Sequence, residues 1–172
     1  VITISTPTPP VVGAGADQTV CAGTSVTLTA TNPGGATITW DNGVTDGVGF
    51  TPGSTLTYTV TANLAGCTST DQVVVTVNPM PTIGAGVDQT VCAGTAVTLT
   101  ANNPDGAALS WDNGVTNGVA FTPGSTLTYT VTGTLSGCIS TDQVVVTVNP
   151  VPTFSLSSTN PSACGANDGT IV

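Results

Sequence analysis

The stretch "DQTVCAGTSVTLTA" (residues 17–30) recurs as "DQTVCAGTAVTLTA" (residues 88–101), with one Ser-to-Ala change and a cysteine at the same place. A shift of 71 positions superimposes residues 12–82 on residues 83–153 without a gap, and the copies differ at 15 of 71 positions. A fixed period indicates an array of copied units. Because solenoid units have only about 20–45 residues, a copy of this length is long enough to be a small domain.

The repeated segments have the two-residue alternation of β-strands. In "SVTLTA" (residues 25–30) and "TLTYTVTA" (residues 55–62) threonines alternate with larger apolar residues, which puts one face on a core and one in water. The inward set comprises Val26, Leu28, Ala30, Leu56, Tyr58, Val60 and Ala62. "TITW" (residues 37–40) ends in an inward tryptophan before a "DNG" turn. The order Cys, Trp, Cys on short strands predicts an all-β fold of tandem immunoglobulin-like β-sandwich domains.

The same period predicts the domain boundaries. Residues 11–81 and 82–152 are two immunoglobulin-like repeats. Residues 1–10 are interpreted as the last strand and linker of a preceding domain, because "VITIST" aligns with "QVVVTV" of the repeat. From residue 153 the sequence changes character, so residues 153–172 are interpreted as the start of a following β module.

Composition limits the partners of this chain. It has no Lys, Arg, His or Glu, and its nine acidic residues are all Asp, which gives a net charge of −9 and a pI of about 4.1. Nothing in it can neutralise phosphates, so we expect neither a nucleic-acid partner nor attraction to an anionic membrane. No apolar run is long enough to cross a bilayer, and we expect no membrane insertion in this segment.

The linked phrases "DQTVCAG" and "GCTSTDQVVVTV" support a resemblance over residues 12–153. This region resembles the immunoglobulin-like and PKD-like repeats of giant surface proteins from Bacteroidetes. The tail "NPSACGANDGTIV" (residues 160–172) is similar to the start of the gliding-adhesin (SprB-like) repeat. The resemblance implies a secreted, cell-surface adhesin or filament, associated with gliding motility and exported by the type IX route.

Five cysteines in an extracellular chain predict disulfides rather than reactive thiols. The favoured pairing lies within each repeat, Cys21–Cys67 and Cys92–Cys138, where closing a 46-residue loop contributes about 4 kcal/mol. The alternative joins Cys21 to Cys138 across the domain junction, because the turn after the first strand and the last hairpin lie at opposite ends of a sandwich. Free or intermolecular thiols are a third possibility. Cys164 lacks a partner from its own module.

No constellation for catalysis is visible. The "GAGAD" stretch (residues 13–17) resembles a phosphate loop only superficially, because a strand follows it. Nucleophilic and acid–base chemistry lack a histidine, lysine or glutamate partner, and Asp46 becomes Asn117 in the second copy. We therefore expect no catalytic residue, no cofactor and no enzyme. The repeated Asp-Gln steps are expected to cap turns or strand ends; their carboxylates are Asp17, Asp71, Asp88 and Asp142.

Two further sites have plain structural alternatives. "DNGVTDG" (residues 41–47) offers Asp41, Asn42 and Asp46 as calcium ligands, but the spacing fits no standard loop and a turn-rich connection is the simpler interpretation. Zinc is not expected, since histidine is absent and no cysteines lie two to four apart. Trp40 and Trp111 could stack on a sugar, although their inward phase favours the core.

The sequence thus predicts a structural repeat segment of an extracellular, cell-surface adhesin or filament that acts as a semi-rigid stalk. The alternative is a carbohydrate- or protein-binding module of a large secreted protein, or an accessory region of a secreted enzyme. The expected partners are neighbouring repeats of the same long chain, other copies in a filament, or a surface glycan or protein.

Overall fold

The computed structural model describes residues 8–158 and 163–165. Each copy forms six strands in the same order. In the first copy these are β1 (Gln18–Cys21), β2 (Val26–Thr27), β3 (Thr37–Trp40), β4 (Gly49–Phe50), β5 (Leu56–Leu64) and β6 (Cys67–Asn78). In the second they are β7 (Gln89–Cys92), β8 (Val97–Thr98), β9 (Ala108–Trp111), β10 (Ala120–Phe121), β11 (Leu127–Leu135) and β12 (Cys138–Asn149). The strand expected at residues 1–6 and most of the expected C-terminal module lie outside the described residues.

Each copy arranges its strands in two sheets. The larger has the order β1-β6-β5-β3 in the first copy and β7-β12-β11-β9 in the second, and the smaller pairs β2 with β4 and β8 with β10. The first strand of each copy runs parallel to the last, while all other pairs are antiparallel. Neighbouring β3, β5 and β6 match the C, F and G strands of an immunoglobulin domain. The described residues form no helix, and the predicted class, tandem immunoglobulin-like β-sandwiches, is confirmed.

A separate core holds each copy together, and the two cores contain equivalent residues. In the first, Tyr58 and Val60 of β5 pack against Leu28, and the Phe50 ring contacts the Tyr58 ring at a centroid distance of 5.2 Å. Trp40 is buried at 9% exposure, whereas Trp111 is half-buried against the second core. Both tryptophans therefore pack on the core side, as their phase predicted.

The alternation predicted most of the buried residues correctly but failed at the start of β5. Val26, Leu28, Tyr58, Val60 and Ala62 are buried, and Ala30 is half-buried. Leu56 was expected to face inward, yet it is 42% exposed. Tyr58, the next residue on the same face, is only 3% exposed, so the edge of the core falls between Leu56 and Tyr58.

Two differences between the copies compensate each other. Val12 and Ala62 of the first copy are replaced by Ile83 and Gly133 in the second. A methyl group added at Gly133 would overlap the Ile83 side chain. The second copy therefore gains a methylene at one position and loses a methyl at the other, which keeps the packed volume nearly constant.

The substitution Gly133→Ala is expected to lower the free energy of unfolding of the second repeat by about 1–3 kcal/mol, because it overpacks the site against Ile83. Adding Ile83→Val recreates the pair of the first copy and should recover most of the loss. Urea unfolding followed by Trp111 fluorescence, in a Trp40→Phe background, measures both effects. Strictly additive effects of the two substitutions would contradict the compensation.

Candidate functional site: a disulfide-bonded junction between the repeats

The parallel pairing of β1 with β6 decides where the first cysteine lies. Cys21 is opposite Asn78, the last residue of β6, whereas Cys67 is the first residue of that strand. A strand of 12 residues spans roughly 35–40 Å, so Cys21 and Cys67 lie at opposite ends of the repeat. The favoured pairing Cys21–Cys67 is therefore wrong. Cys92–Cys138 is wrong for the same reason, since β7 and β12 have the equivalent register.

The disulfide joins the two repeats instead. Cys21 is bonded to Cys138 across 117 residues of sequence, with a Cα–Cα distance of 5.6 Å that suits an ordinary disulfide. This is the alternative that the opposite-ends argument had raised. Cys138 is only 1% exposed, so the bond is covered by the two repeats that it connects. Cys92 and Cys164 are exposed thiols, and Cys67 is half-buried.

Hydrogen bonds position the turn that carries Cys138. Ser136 and Gly137 connect β11 to β12 with φ angles of 50° and 82°, the left-handed region that a tight two-residue hairpin requires. Asn78 donates from Nδ2 to the carbonyl oxygen of Ser136 at 2.9 Å, while its own carbonyl accepts from the Ala22 amide at 2.8 Å. Asn78 thus links the end of the first repeat to the turn of the second. Sequence reasoning missed this role, although an Asn-Pro step ends both copies.

The linker is fixed to the second repeat. Pro81 is buried, and the amide of Thr82 donates to Oδ2 of Asp105 at 2.7 Å. The first copy has Gly34 in place of Asp105, so this carboxylate is one of the few polar differences between the copies. The repeats therefore have two ties to each other, the disulfide and the Asn78 amide, and the Asp105 carboxylate holds the point at which the linker enters the second repeat.

The Asp-Gln carboxylates bind backbone amides of distant segments. Asp17, just before β1, accepts from the Val74 amide at 2.8 Å. Asp71 lies within β6 rather than at its end, and accepts from the Ala14 amide at 2.8 Å. The second copy repeats both bonds at the same distances, through Asp88 and Asp142. The bond from Ala14, helped by one from Gln72, lowers the pKa of Asp71, and those from Ala85 and Gln143 lower the pKa of Asp142.

Two of the three proposed calcium ligands, Asp41 and Asp46, accept hydrogen bonds from the protein itself, and Asn42 donates from Nδ2 to Oδ1 of Asp41 at 3.1 Å. Oδ1 of Asp46 accepts from the Trp40 indole at 2.9 Å and the Ala30 amide at 2.7 Å. Asn117 makes the same two bonds in the second copy at 3.1 and 2.8 Å, which explains why an amide can replace the carboxylate. Asp41 accepts from the Thr59 amide at 2.9 Å. Within the described ranges, no three side chains of the His, Cys, Asp or Glu type come together.

The glycine-rich stretch before β1 also has internal partners. The Gly13 amide donates to the Thr31 carbonyl at 3.0 Å, and the Ala14 amide donates to the Asp71 carboxylate. Both donors are occupied, one of them by an anion of the protein itself. The part of the chain that the structure describes has no ligand-sized pocket and no helix long and apolar enough to cross a bilayer.

Comparison with known proteins gives structural neighbours only. No family model matches the chain, and no curated protein matches it. It is similar to the structure of extracellular domains 3–5 of Drosophila OTK, at 14% identity and a TM-score of 0.45, with 82% of this chain covering 60% of that one. The titin I-band fragment I67–I69 gives 12% identity and a TM-score of 0.45, with 84% of this chain covering 67% of that one. The titin immunoglobulin tandem A164–A165 gives 10% and 0.36, with 83% covering 97%.

Disulfide mapping tests the junction directly. The chain has no trypsin site, but cleavage before each Asp places all five cysteines in different fragments. After alkylation of thiols and this digestion, mass spectrometry should find fragment 17–40 linked to fragment 112–141. A link between 17–40 and 46–70 would instead establish the intradomain bond and contradict the junction.

The Asp71 and Asp142 bonds predict a specific acid sensitivity. Because the folded-state pKa lies below the ordinary value of 3.8, the stabilisation is complete above that value and is lost as pH falls through the lowered pKa. The Asp71→Asn/Asp142→Asn variant should therefore have a lower melting temperature than the parent at pH 7, and the gap should close as pH falls through the lowered pKa. Thermal unfolding followed by circular dichroism from pH 7 to 2 measures it. A gap that stays constant over this range would refute the assignment.

Proposed function

We propose that residues 11–81 and 82–152 are structural units of a semi-rigid stalk in an extracellular, cell-surface adhesin or filament. The observation that carries the proposal is the bond between Cys21 and Cys138, which ties adjacent repeats end to end. A covalent bond at a domain junction keeps neighbouring units attached end to end, a property that a stalk needs. Neighbouring repeats of the same chain are the primary partners.

The position of the disulfide supports a mechanical role. Cys138 begins β12, and that strand runs the length of the second repeat to Asn149. Tension that enters through the disulfide therefore passes along a single strand that is already extended, at about 3.3 Å per residue against a limit near 3.6 Å. Residues 22–137 lie outside this path, so the loops and the first core bear little load.

Chemistry at the surface supports an extracellular, non-catalytic role. Disulfides persist in oxidising compartments, and the covered Cys21–Cys138 bond is of the structural kind. The carboxylates considered for catalysis accept backbone or indole hydrogen bonds, which gives them a structural use. A chain without Lys or Arg is also resistant to trypsin-like proteases, a useful property for an exposed stalk.

Single-molecule force spectroscopy tests the proposal. The chain is held by tags at its two ends and pulled with and without a thiol reductant. With the disulfide intact, residues between Cys21 and Cys138 should add nothing to the maximum extension. After reduction they should unfold and add about 400 Å, because 117 residues extend to about 3.5 Å each.

The double variant Cys21→Ser/Cys138→Ser is the matched control, and without reductant it should extend like the reduced parent. Equal extension of the parent in both conditions would mean that the bond bears no load, and the proposed mechanical role would fail.

A further inference from the structure

The two copies present the same end surface, and among residues 8–158 and 163–165 only one of these surfaces is covered. The receiving end of the first repeat consists of Cys21, Ala22 and Asn78, on which the turn of the second repeat docks. Cys92, Ala93 and Asn149 form the equivalent end of the second repeat. Cys21 and Asn78 are half-buried, whereas Cys92 and Asn149 are exposed.

The uncovered end already has the geometry of the covered one. Cys92 pairs in register with Asn149, as Cys21 does with Asn78. The Ala93 amide donates to the Asn149 carbonyl at 2.8 Å, the distance found for Ala22 and Asn78. The surface therefore needs no rearrangement before a turn docks on it, which removes part of the cost of binding.

The turns show the complementary difference. Leu135, which precedes the docked turn, is half-buried, whereas the equivalent Leu64 of the first repeat is 39% exposed. Pro81 in the linker is buried, whereas the equivalent Pro152 is exposed. These differences distinguish positions at the formed junction from the equivalent positions outside it.

We propose that the Cys92–Asn149 end of the second repeat is a docking site for the β-hairpin turn of one further copy of this repeat, with Cys92 forming a disulfide to that copy's hairpin cysteine. The junction between the first two repeats supplies the template, so the site continues an interface present in the chain. Formation of the bond converts two thiols to a disulfide, and a low-molecular-weight disulfide such as oxidised glutathione takes up the two electrons and two protons as two thiols.

Such a bond would overlap the existing one, because Cys92 lies inside the segment closed by Cys21 and Cys138. Only 46 residues separate Cys92 from Cys138, against a repeat period of 71. The shortest covalent path through each unit would then run between its two bonded cysteines and would be 46 residues long. No unit could be extended to its full length while both of its disulfides remain. The inference rests on the proposed stalk, which it extends from one junction to a series.

A three-unit chain tests the inference. Residues 154–172 are replaced by a further copy of residues 83–153, which keeps the period. In the added unit the copy of Cys92 is changed to serine, and the copy of Ile139 to threonine, so that its hairpin fragment has a distinct mass. After oxidation in glutathione buffer, cleavage before Asp should link fragment 88–104 to the new hairpin fragment. Cys21–Cys138 in the same molecule is the internal control.

Titration with reduced and oxidised glutathione measures the effective concentration of each pair of thiols. The values for the two pairs should lie within about ten-fold of each other. Asn149→Ala should lower the effective concentration of the new thiol pair about five-fold, which is the effect of losing one neutral hydrogen bond. Asn78→Ala should lower the effective concentration of the Cys21 and Cys138 pair by the same factor. An alkylated Cys92 in a chain that has formed Cys21–Cys138 would overturn the inference. So would a link between fragments 88–104 and 142–167 in the parent chain.

If the three-unit chain does not form Cys21–Cys138, a second chain decides the question. Its added unit copies residues 12–82, with the copy of Cys21 changed to serine and that of Thr68 to isoleucine, and the same two outcomes apply. Because Cys21–Cys138 and the force measurements on the parent do not depend on the new bond, the inference can fail while the proposed stalk stands.

Discussion

The parallel pairing of the first strand of each repeat with its last strand is the constraint on which the junction depends. It places the end of β1 beside the end of β6, so Cys21 emerges where the chain leaves the first repeat. The pairing covers only Val75 to Asn78, at the far end of β6 from Cys67, so it keeps Cys21 away from that cysteine of its own repeat. The register of a four-residue strand along β6 therefore determines whether the sulfur stabilises one domain or connects two.

At the junction the covalent bond and the hydrogen bonds restrict different motions of the two repeats. A disulfide fixes the distance between two points but permits rotation about them. The Asn78 amide binds the turn of the second repeat, and the Asp105 carboxylate binds Thr82, where the linker enters that repeat. Each such bond contributes only about 1 kcal/mol, yet together they restrict the rotation that the disulfide leaves open. The rigidity of the junction therefore depends on residues that sequence patterns did not single out.

The sequence was sufficient to predict the fold, but it did not determine which cysteines form the disulfide. Two-residue alternation identified β5 and its buried Tyr58 and Val60, because burial on one face of a sheet directly constrains residue type. The Cys, Trp, Cys order indicated the immunoglobulin-like class correctly, although the cysteines do not occupy the positions that they have in antibody domains. In antibody domains the second cysteine follows the F-strand tyrosine by two residues, and here that position is Val60 in the core. Strand direction and the contacts of Asn78 are non-local, so periodicity carries no information about them.

The compensated differences between the copies bear on how such similar neighbours fold side by side. Adjacent domains with nearly identical sequences are prone to exchange strands and form hybrid domains. A hybrid that combined Ile83 with Ala62 would be overpacked, and one that combined Val12 with Gly133 would contain a cavity. Each mismatch adds a cost to the wrong pairing and none to the right one, so differences too small to change the fold can still favour the correct domain over the hybrid.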